Sequence, residues 1–322
     1  MPSPVRSLLL FACTLGTTFS TPISVPQSQS PHALSSPTQL LLLSKGGPDQ
    51  SASLYTLPLP TNPGLASDQT GTPITIDGAF SATALSVDSV ARKIYVAADG
   101  AVLEYNYDGS ASQRKVSAQV AGGMDIVHEE EKAVVYFASD SAIRSANLDG
   151  SETEEVLLQA KVSTPATQYR LLAIDAAGGW IYYTQQTSGQ TSIWRRSIKG
   201  GEDPRELYTT ERTITDLKFA DKYVYWTEYS RAADGVYTNY VVRMQYTNSG
   251  STLQVVGYTT DAKEGHYFGK LVLVPQTREW YVVAGEWVGG VVAWKGSMDG
   301  GKVVMYNYSI GNMGGIGGLD VL

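Results

Sequence analysis

Cysteine is all but missing from this chain of 322 residues: there is one, Cys13, beside only three histidines. A single thiol excludes disulfides within the chain, and its place in an N-terminal apolar stretch leaves no thiolate zinc site or cysteine nucleophile in residues 14–322. Secreted domains lean on disulfides where the core is too small to suffice. Without them, a large self-closing core is expected. The sequence also has no dense Lys or Arg run and a net charge of −7, which argues against a phosphate-tracking surface and so against a nucleic-acid partner. Nowhere do the roughly 20 consecutive apolar residues of a bilayer span occur. No stretch sustains i, i+3, i+4 spacing over three turns. A Ser/His/Asp order, a His-x-His pair, a Walker loop and a dinucleotide fingerprint are absent too.

What is present is 43% hydrophobic and 17% charged, enough to bury a sizeable core. Residues 1–20 read as a secretory signal: Arg6, the apolar Leu8-Leu9-Leu10-Phe11-Ala12, then small residues to Ser20. Leu10-Phe11-Ala12-Cys13 also loosely matches a bacterial lipobox, with a short apolar stretch before it. Residues 21–38, with Pro22, Pro26, Pro31 and Pro37 among many hydroxyls, read as a flexible tail that buries too little to order, with room for O-linked sugars. One folded domain is expected over 39–322, secreted, extracellular and monomeric.

Repetition supports the single domain. Ile94-Tyr95-Val96, Val135-Tyr136-Phe137, Ile181-Tyr182-Tyr183, Val224-Tyr225-Trp226 and Trp280-Tyr281-Val282 place tyrosines 41, 46, 43 and 56 residues apart. A period of this length marks propellers and solenoids. After each tyrosine strand comes a second strand and a glycine turn, as in Asn106-Tyr107-Asp108-Gly109 or Met298-Asp299-Gly300-Gly301. Further strands before and after complete a four-stranded unit, one propeller blade. The first blade has three strands near the N-terminus and lacks an inner one. Gly317-Gly318-Leu319-Asp320-Val321-Leu322 repeats Gly122-Gly123-Met124-Asp125-Ile126-Val127, an inner strand. The fold expected is therefore an all-β, six-bladed β-propeller in which the C-terminal strand completes the N-terminal blade.

Val224-Tyr225-Trp226-Thr227-Glu228 is close to the Tyr-Trp-Thr-Asp signature, and Ile143-Arg144-Ser145-Ala146-Asn147-Leu148-Asp149-Gly150 looks like the third strand and turn that come after it. On these residues the chain resembles the low-density lipoprotein receptor class B (YWTD) repeats over about 39–322. Tyr95, Tyr136 and Tyr281 are followed by Val, Phe and Val where that family prefers Trp. The receptors' cysteine-rich modules have no counterpart here. The resemblance implies a six-bladed propeller.

In a propeller, connections from second to third strand and from fourth strand to the next blade share one face, the expected ligand face. Four second-to-third connections read as long loops: 45–52, 185–191, 228–239 and 285–290. They carry Tyr229, Arg231, Tyr237, Glu286 and Trp287, a mix that suits a protein or glycan partner. Asp125, Asp216 and Asp320 read as equivalent acids on three inner strands, with Lys270 at the matching place in blade 6. They either accept backbone N–H groups or pair with Lys270, or else hold Ca²⁺ or another hard cation in the channel. His266 is the one candidate general base, though such a histidine is more often a packing residue. Gly311 to Gly318 precede a strand and read as close backbone packing. Asn307-Tyr308-Ser309 is a glycosylation sequon, so a glycoprotein is expected. Together these residues point to a binding or scaffold module for an extracellular protein or glycan. The alternative is a metal-dependent hydrolase, resembling six-bladed lactonases, with those acids around a cation and His266 as base.

Overall fold

In a computed structural model the described residues are 39–45, 52–59, 69–74, 76, 82–110, 113–117, 120, 122–129, 132–149, 151, 154–159, 168–247, 250–261, 266–285, 290–309 and 316–322. They form six sheets, antiparallel except for one short parallel edge strand. Blade 1 joins β25 (Ile316–Val321), β1 (Gln39–Ser44), β2 (Ser53–Pro58) and β4 (Thr72–Ile74). Blade 2 is β5 to β8 (Ala82–Asp88, Lys93–Ala98, Ala101–Asn106, Gln113–Ser117), and blade 3 is β9 to β12 (Met124–Glu129, Lys132–Ser139, Ala142–Asn147, Glu154–Gln159). Blade 4 is β13 to β16 (Gln168–Asp175, Trp180–Thr187, Gln190–Ser197, Arg205–Thr210), and blade 5 is β17 to β20 (Thr213–Ala220, Tyr223–Arg231, Tyr237–Thr247, Gly250–Asp261). Blade 6 is β21 to β24 (Lys270–Val274, Glu279–Gly285, Gly290–Ser297, Val304–Ser309), with β3 (Gln69–Thr70) parallel on its outer edge. The inner strands β25, β5, β9, β13, β17 and β21 touch in succession and close a ring.

The core lies between blades. Six apolar clusters each draw on two neighbouring sheets. β1 shows why its sequence is four leucines in a row: alternate side chains face opposite sides of a strand, so Leu40 and Leu42 pack towards blade 6 while Leu41 and Leu43 pack towards blade 2. All four are fully buried. The repeated tyrosines Tyr95, Tyr136, Tyr182, Tyr225 and Tyr281 are wedges: each is buried in the cluster shared with the following blade.

Closure occurs in the expected register, with Leu40 opposite Val321, Leu41 opposite Asp320, Leu42 opposite Leu319 and Leu43 opposite Gly318. The repeated Gly-Gly pairs serve close approach between blades. A Cβ on Gly318 would sit 2.3 Å from Leu85 Cβ, and one on Gly123 would sit 2.6 Å from the Leu172 backbone nitrogen. Residues 311–315 of that glycine-rich stretch lie outside the described residues. A second squeeze is lateral: Trp280, fully buried, slides its indole between Gly257 of blade 5 and Gly296 of blade 6, where any Cβ would come within 2.2 Å of the ring.

Hairpin turns follow the side-chain chemistry of the sequence. Gly109 takes φ 81° and donates to Asn106, while Asp108 accepts the Ser110 N–H. Two connections differ from expectation. In blade 4 the strands run on to Thr187 and restart at Gln190, so 185–191 is no long loop but a hairpin turning at Ser188 and Gly189. In blade 5 Arg231 pairs with Tyr237, leaving only 232–236 as loop. Both segments are rich in polar and Tyr/Thr residues, and sequence polarity reads as loop where it is an exposed extension of a hairpin.

Candidate functional site

The six inner strands converge on an axial cavity lined from every blade: Leu319 of blade 1, Leu85 of blade 2, Gly123 of blade 3, Leu172 of blade 4, Asp216 and Lys218 of blade 5, and Lys270 of blade 6. Strand register sorts its charges into two layers. Asp125 lies opposite Tyr136 and Lys218 opposite Tyr225, both repeated tyrosines, and Asp320 matches Asp125 through the Gly-Gly repeat. Asp216 lies opposite Thr227 and Lys270 opposite Val283, two residues beyond the repeated tyrosine. Asp216 is therefore level with Lys270 and one layer nearer the expected ligand face; it is not equivalent to Asp125 and Asp320. Lys218 is the residue that sequence reasoning missed. Its signal was present: two residues after Asp216 on a strand, it must share that strand face.

Each carboxylate bridges to the next blade. Asp320 Oδ2 accepts the Val87 N–H at 2.8 Å, Asp125 Oδ2 the Ile174 N–H at 3.3 Å, and Asp216 Oδ2 the Leu271 N–H at 2.8 Å. Asp125 and Asp320 also accept the N–H of the following residue. These bonds join blades 1 to 2, 3 to 4 and 5 to 6. Among the described residues no group of three or more His, Cys, Asp or Glu is placed to hold a metal ion. The acids sit in two layers, facing backbone amides and lysines.

Burial raises the Asp125 carboxyl to about 6, helped by Asp320 and opposed by Lys218, and burial raises Asp320 as well. Burial pulls the Lys218 ammonium down, but Asp216, Asp320 and Asp125 outweigh it and hold its pKa above the usual lysine value. Lys270 moves the other way: burial, Lys218 and Lys45 lower it against the pull of Asp216, 4.0 Å away. A stability effect results from Asp125. Below about pH 4 it is protonated whether the chain is folded or unfolded. Between about pH 4 and 6 only the unfolded chain ionises it, so its contribution to stability falls as pH rises through that window. Above it the cost is constant, on the order of 3 kcal/mol. Denaturant unfolding of wild type and Asp125→Asn should show the wild type losing about that much relative to the variant between about pH 4 and 6, then no further change to about pH 8. A pH-independent difference would contradict it.

At the rim of blades 5 and 6, Asn239 is fully buried and clasps the chain entering blade 6: its Nδ2 donates to the His266 carbonyl and its Oδ1 accepts the Phe268 N–H. With both neighbours fixed, Tyr267 projects outward, 43% exposed. There it meets Tyr229 and Tyr237, with centroids 4.9 and 5.9 Å away, and those two lie 5.5 Å apart. Arg231 stacks on Tyr237 at 5.4 Å. Three of the predicted ligand residues, Tyr229, Arg231 and Tyr237, are thus brought together, on strands, with Tyr267 added. Glu286 and Trp287 lie outside the described residues. His266 is 5% exposed, its ring edge-on to Trp294 at 6.2 Å, a packed setting. Asn307 is exposed on β24.

A closed ring of six blades of four strands, the sixth with a short fifth strand on its outer edge, with charge along its axis and an aromatic cluster on its rim, defines a six-bladed β-propeller. Comparison with protein-family models and with curated proteins finds no match. Solved structures match along most of the chain. A chain of a nidogen/laminin complex is similar at TM-score 0.60 and 14% identity over 88% of this chain and 98% of its own. TolB from Acinetobacter baumannii is similar at TM-score 0.58 and 13% identity, over 88% and 66%. Kuenenia stuttgartiensis hydrazine synthase is similar at TM-score 0.52 and 16% identity, over 85% and 80%. At such identities the likeness is one of fold, and propellers host binding and catalysis alike. Among the described residues no helix is long and apolar enough to cross a membrane.

Proposed function

We propose that this is a secreted binding or scaffold module, kin to the YWTD repeats, that engages an extracellular partner through the blade 5–6 rim. The observation that carries it is the cluster of half-buried Tyr229 and Tyr237 with exposed Tyr267 and Arg231. Tyr and Arg dominate binding hot spots because they offer large contact area and hydrogen bonds at little entropic cost. A protein partner is the reading taken, because Tyr together with Arg is the composition of protein hot spots. The signal-like residues 1–20 support export, and the exposed Asn307 suits a sugar in a glycosylating host. The nidogen/laminin chain is itself a member of a protein complex. No observation favours the hydrolase alternative, with His266 packed and the acids facing amides.

The test is binding to immobilised full-length protein from the source organism's secreted fraction, and to a glycan array, with wild type and a Tyr237→Ala/Tyr267→Ala variant. A specific protein ligand should bind the variant about 30-fold more weakly, the effect of losing a hot spot of about 2 kcal/mol. Equal binding by a folded variant, or capture of glycans alone, would refute the reading.

A further inference from the structure

The outermost strand of each blade leaves a row of backbone N–H and C=O groups unpaired, a template for adding another strand unless it is blunted. Four of the six edges are blunted. β4 is three residues long and contains Pro73, while β8 carries Arg114 and Lys115, β12 Glu154 and Glu155, and β16 Arg205 and Glu206. β24 has no charged residue, and there the chain covers the end of the edge itself, with β3 paired in parallel at Tyr308 and Ser309. β20 is the exception. It is the longest of the described strands at 12 residues, Ser251 to Thr260 include no charge and no proline, and among the described residues no strand pairs beyond it. Its bulge at Val256 does not set it apart, because β8, β12 and β16 shift register at the equivalent place.

One side of this edge is also apolar. Leu253, Val255 and Tyr258 pair with Met244, Val242 and Tyr240, alternate residues of β19, so all three project to the same face, and each is more than half exposed. We infer that β20 is a dimerisation edge, extended by antiparallel pairing with β20 of a second copy, in place of the monomer expected from the sequence. Composition selects the occupant. A strand that matches Ser251–Thr260 must be free of charge and proline along its length. Of the segments ahead of β1, residues 1–20 read as an export signal and 21–38 are cut by Pro22, Pro26, Pro31 and Pro37, whereas β20 itself meets the need. Self-pairing of β8 or β12 would set like charges against each other, and self-pairing of β20 sets none. An antiparallel two-fold pair consumes both edges, so it stops at two copies. Ten residues of edge, each about 3.4 Å long and about 10 Å deep across both faces, bury on the order of 700 Å² over the two copies. The overhanging Leu253, Val255 and Tyr258 bring this towards the low end of specific interfaces, where association is reversible. The edge is separate from the tyrosine rim and does not depend on the rim's partner.

Sedimentation velocity of the full chain between about 1 and 200 µM tests it. Wild type should pass reversibly from monomer to dimer with Kd on the order of 10 µM. Val255 stands near the middle of the uncharged run, so in a two-fold pairing over its whole length it faces its own counterpart. Val255→Lys and Val255→Glu should therefore each weaken the dimer at least about tenfold, and an equimolar mixture of the two should restore it. Leu253→Lys reads the same loss if a Val255 variant does not fold. Tyr237→Ala should leave the dimer unchanged. The proposal is overturned if wild type stays monomeric to about 200 µM, whether or not it captures a strand from another protein. It is equally overturned if a folded Val255→Lys variant dimerises as wild type does, if the mixture stays monomeric, or if Tyr237→Ala abolishes the dimer.

Discussion

Deletion of residues 316–322 is expected to leave no soluble, folded monomer. β25 supplies the inner strand of blade 1, so its loss uncovers the edge of β1 and with it four fully buried leucines. Two interblade clusters open at once, because Leu319 packs in the one shared with blade 6 and β25 lies against β5 of blade 2. The Val87 N–H loses its Asp320 acceptor, and Leu322 no longer donates to Gln39. A domain is stable by only about 5–15 kcal/mol, and opening one-third of the interblade core exceeds that. An open, uncharged strand edge also templates aggregation. Light scattering and limited proteolysis of the truncated chain check this; a monomer with native protease resistance would show that the ring does not depend on its C-terminal strand.

Arg212→Ala is expected to be the most damaging single substitution of a partly exposed residue. Glu228, the last residue of the Tyr-Trp-Thr-Glu segment, is fully buried, yet its carboxylate takes Arg212 Nη1 at 2.6 Å, the Tyr208 hydroxyl at 3.1 Å and the Trp226 indole N–H at 3.1 Å. Arg212 in turn lies over the Tyr240 ring at 4.1 Å. Removing the cation strands a buried charge, which typically costs about 3–5 kcal/mol. Arg212 keeps 39% of its side chain in water, so solvent partly replaces it and the low end applies, about 3 kcal/mol. For a domain of this size the melting temperature should fall by roughly 5 °C. Glu228→Gln keeps the shape, loses the charge and should cost only about 1 kcal/mol. If the two variants melt together, the buried charge is not what Arg212 serves.

Much of the architecture was legible because it repeats. The tyrosines stood out as a period, and they are the wedges between blades; the Gly-Gly-Leu-Asp end matched Gly-Gly-Met-Asp because both glycines must let a neighbouring strand pass within contact of the backbone. The rim was half legible. Tyr229, Arg231 and Tyr237 could be picked out as aromatic and charged residues near one connection, but Tyr267 reaches them from another blade through the hold of Asn239 on its neighbours. The axis was least legible. Asp125, Asp216 and Asp320 looked equivalent, and a two-residue offset in register separated them into layers.

By itself, then, the order of residues determined strand type, blade number and the meeting of the chain ends, because alternation, turn chemistry and a repeated motif are local properties of a strand. Only the folded ring decided which side chains share a space. Residues on different inner strands become neighbours by the stagger of one blade against the next, and that stagger is set by packing between sheets, which no single strand's sequence records.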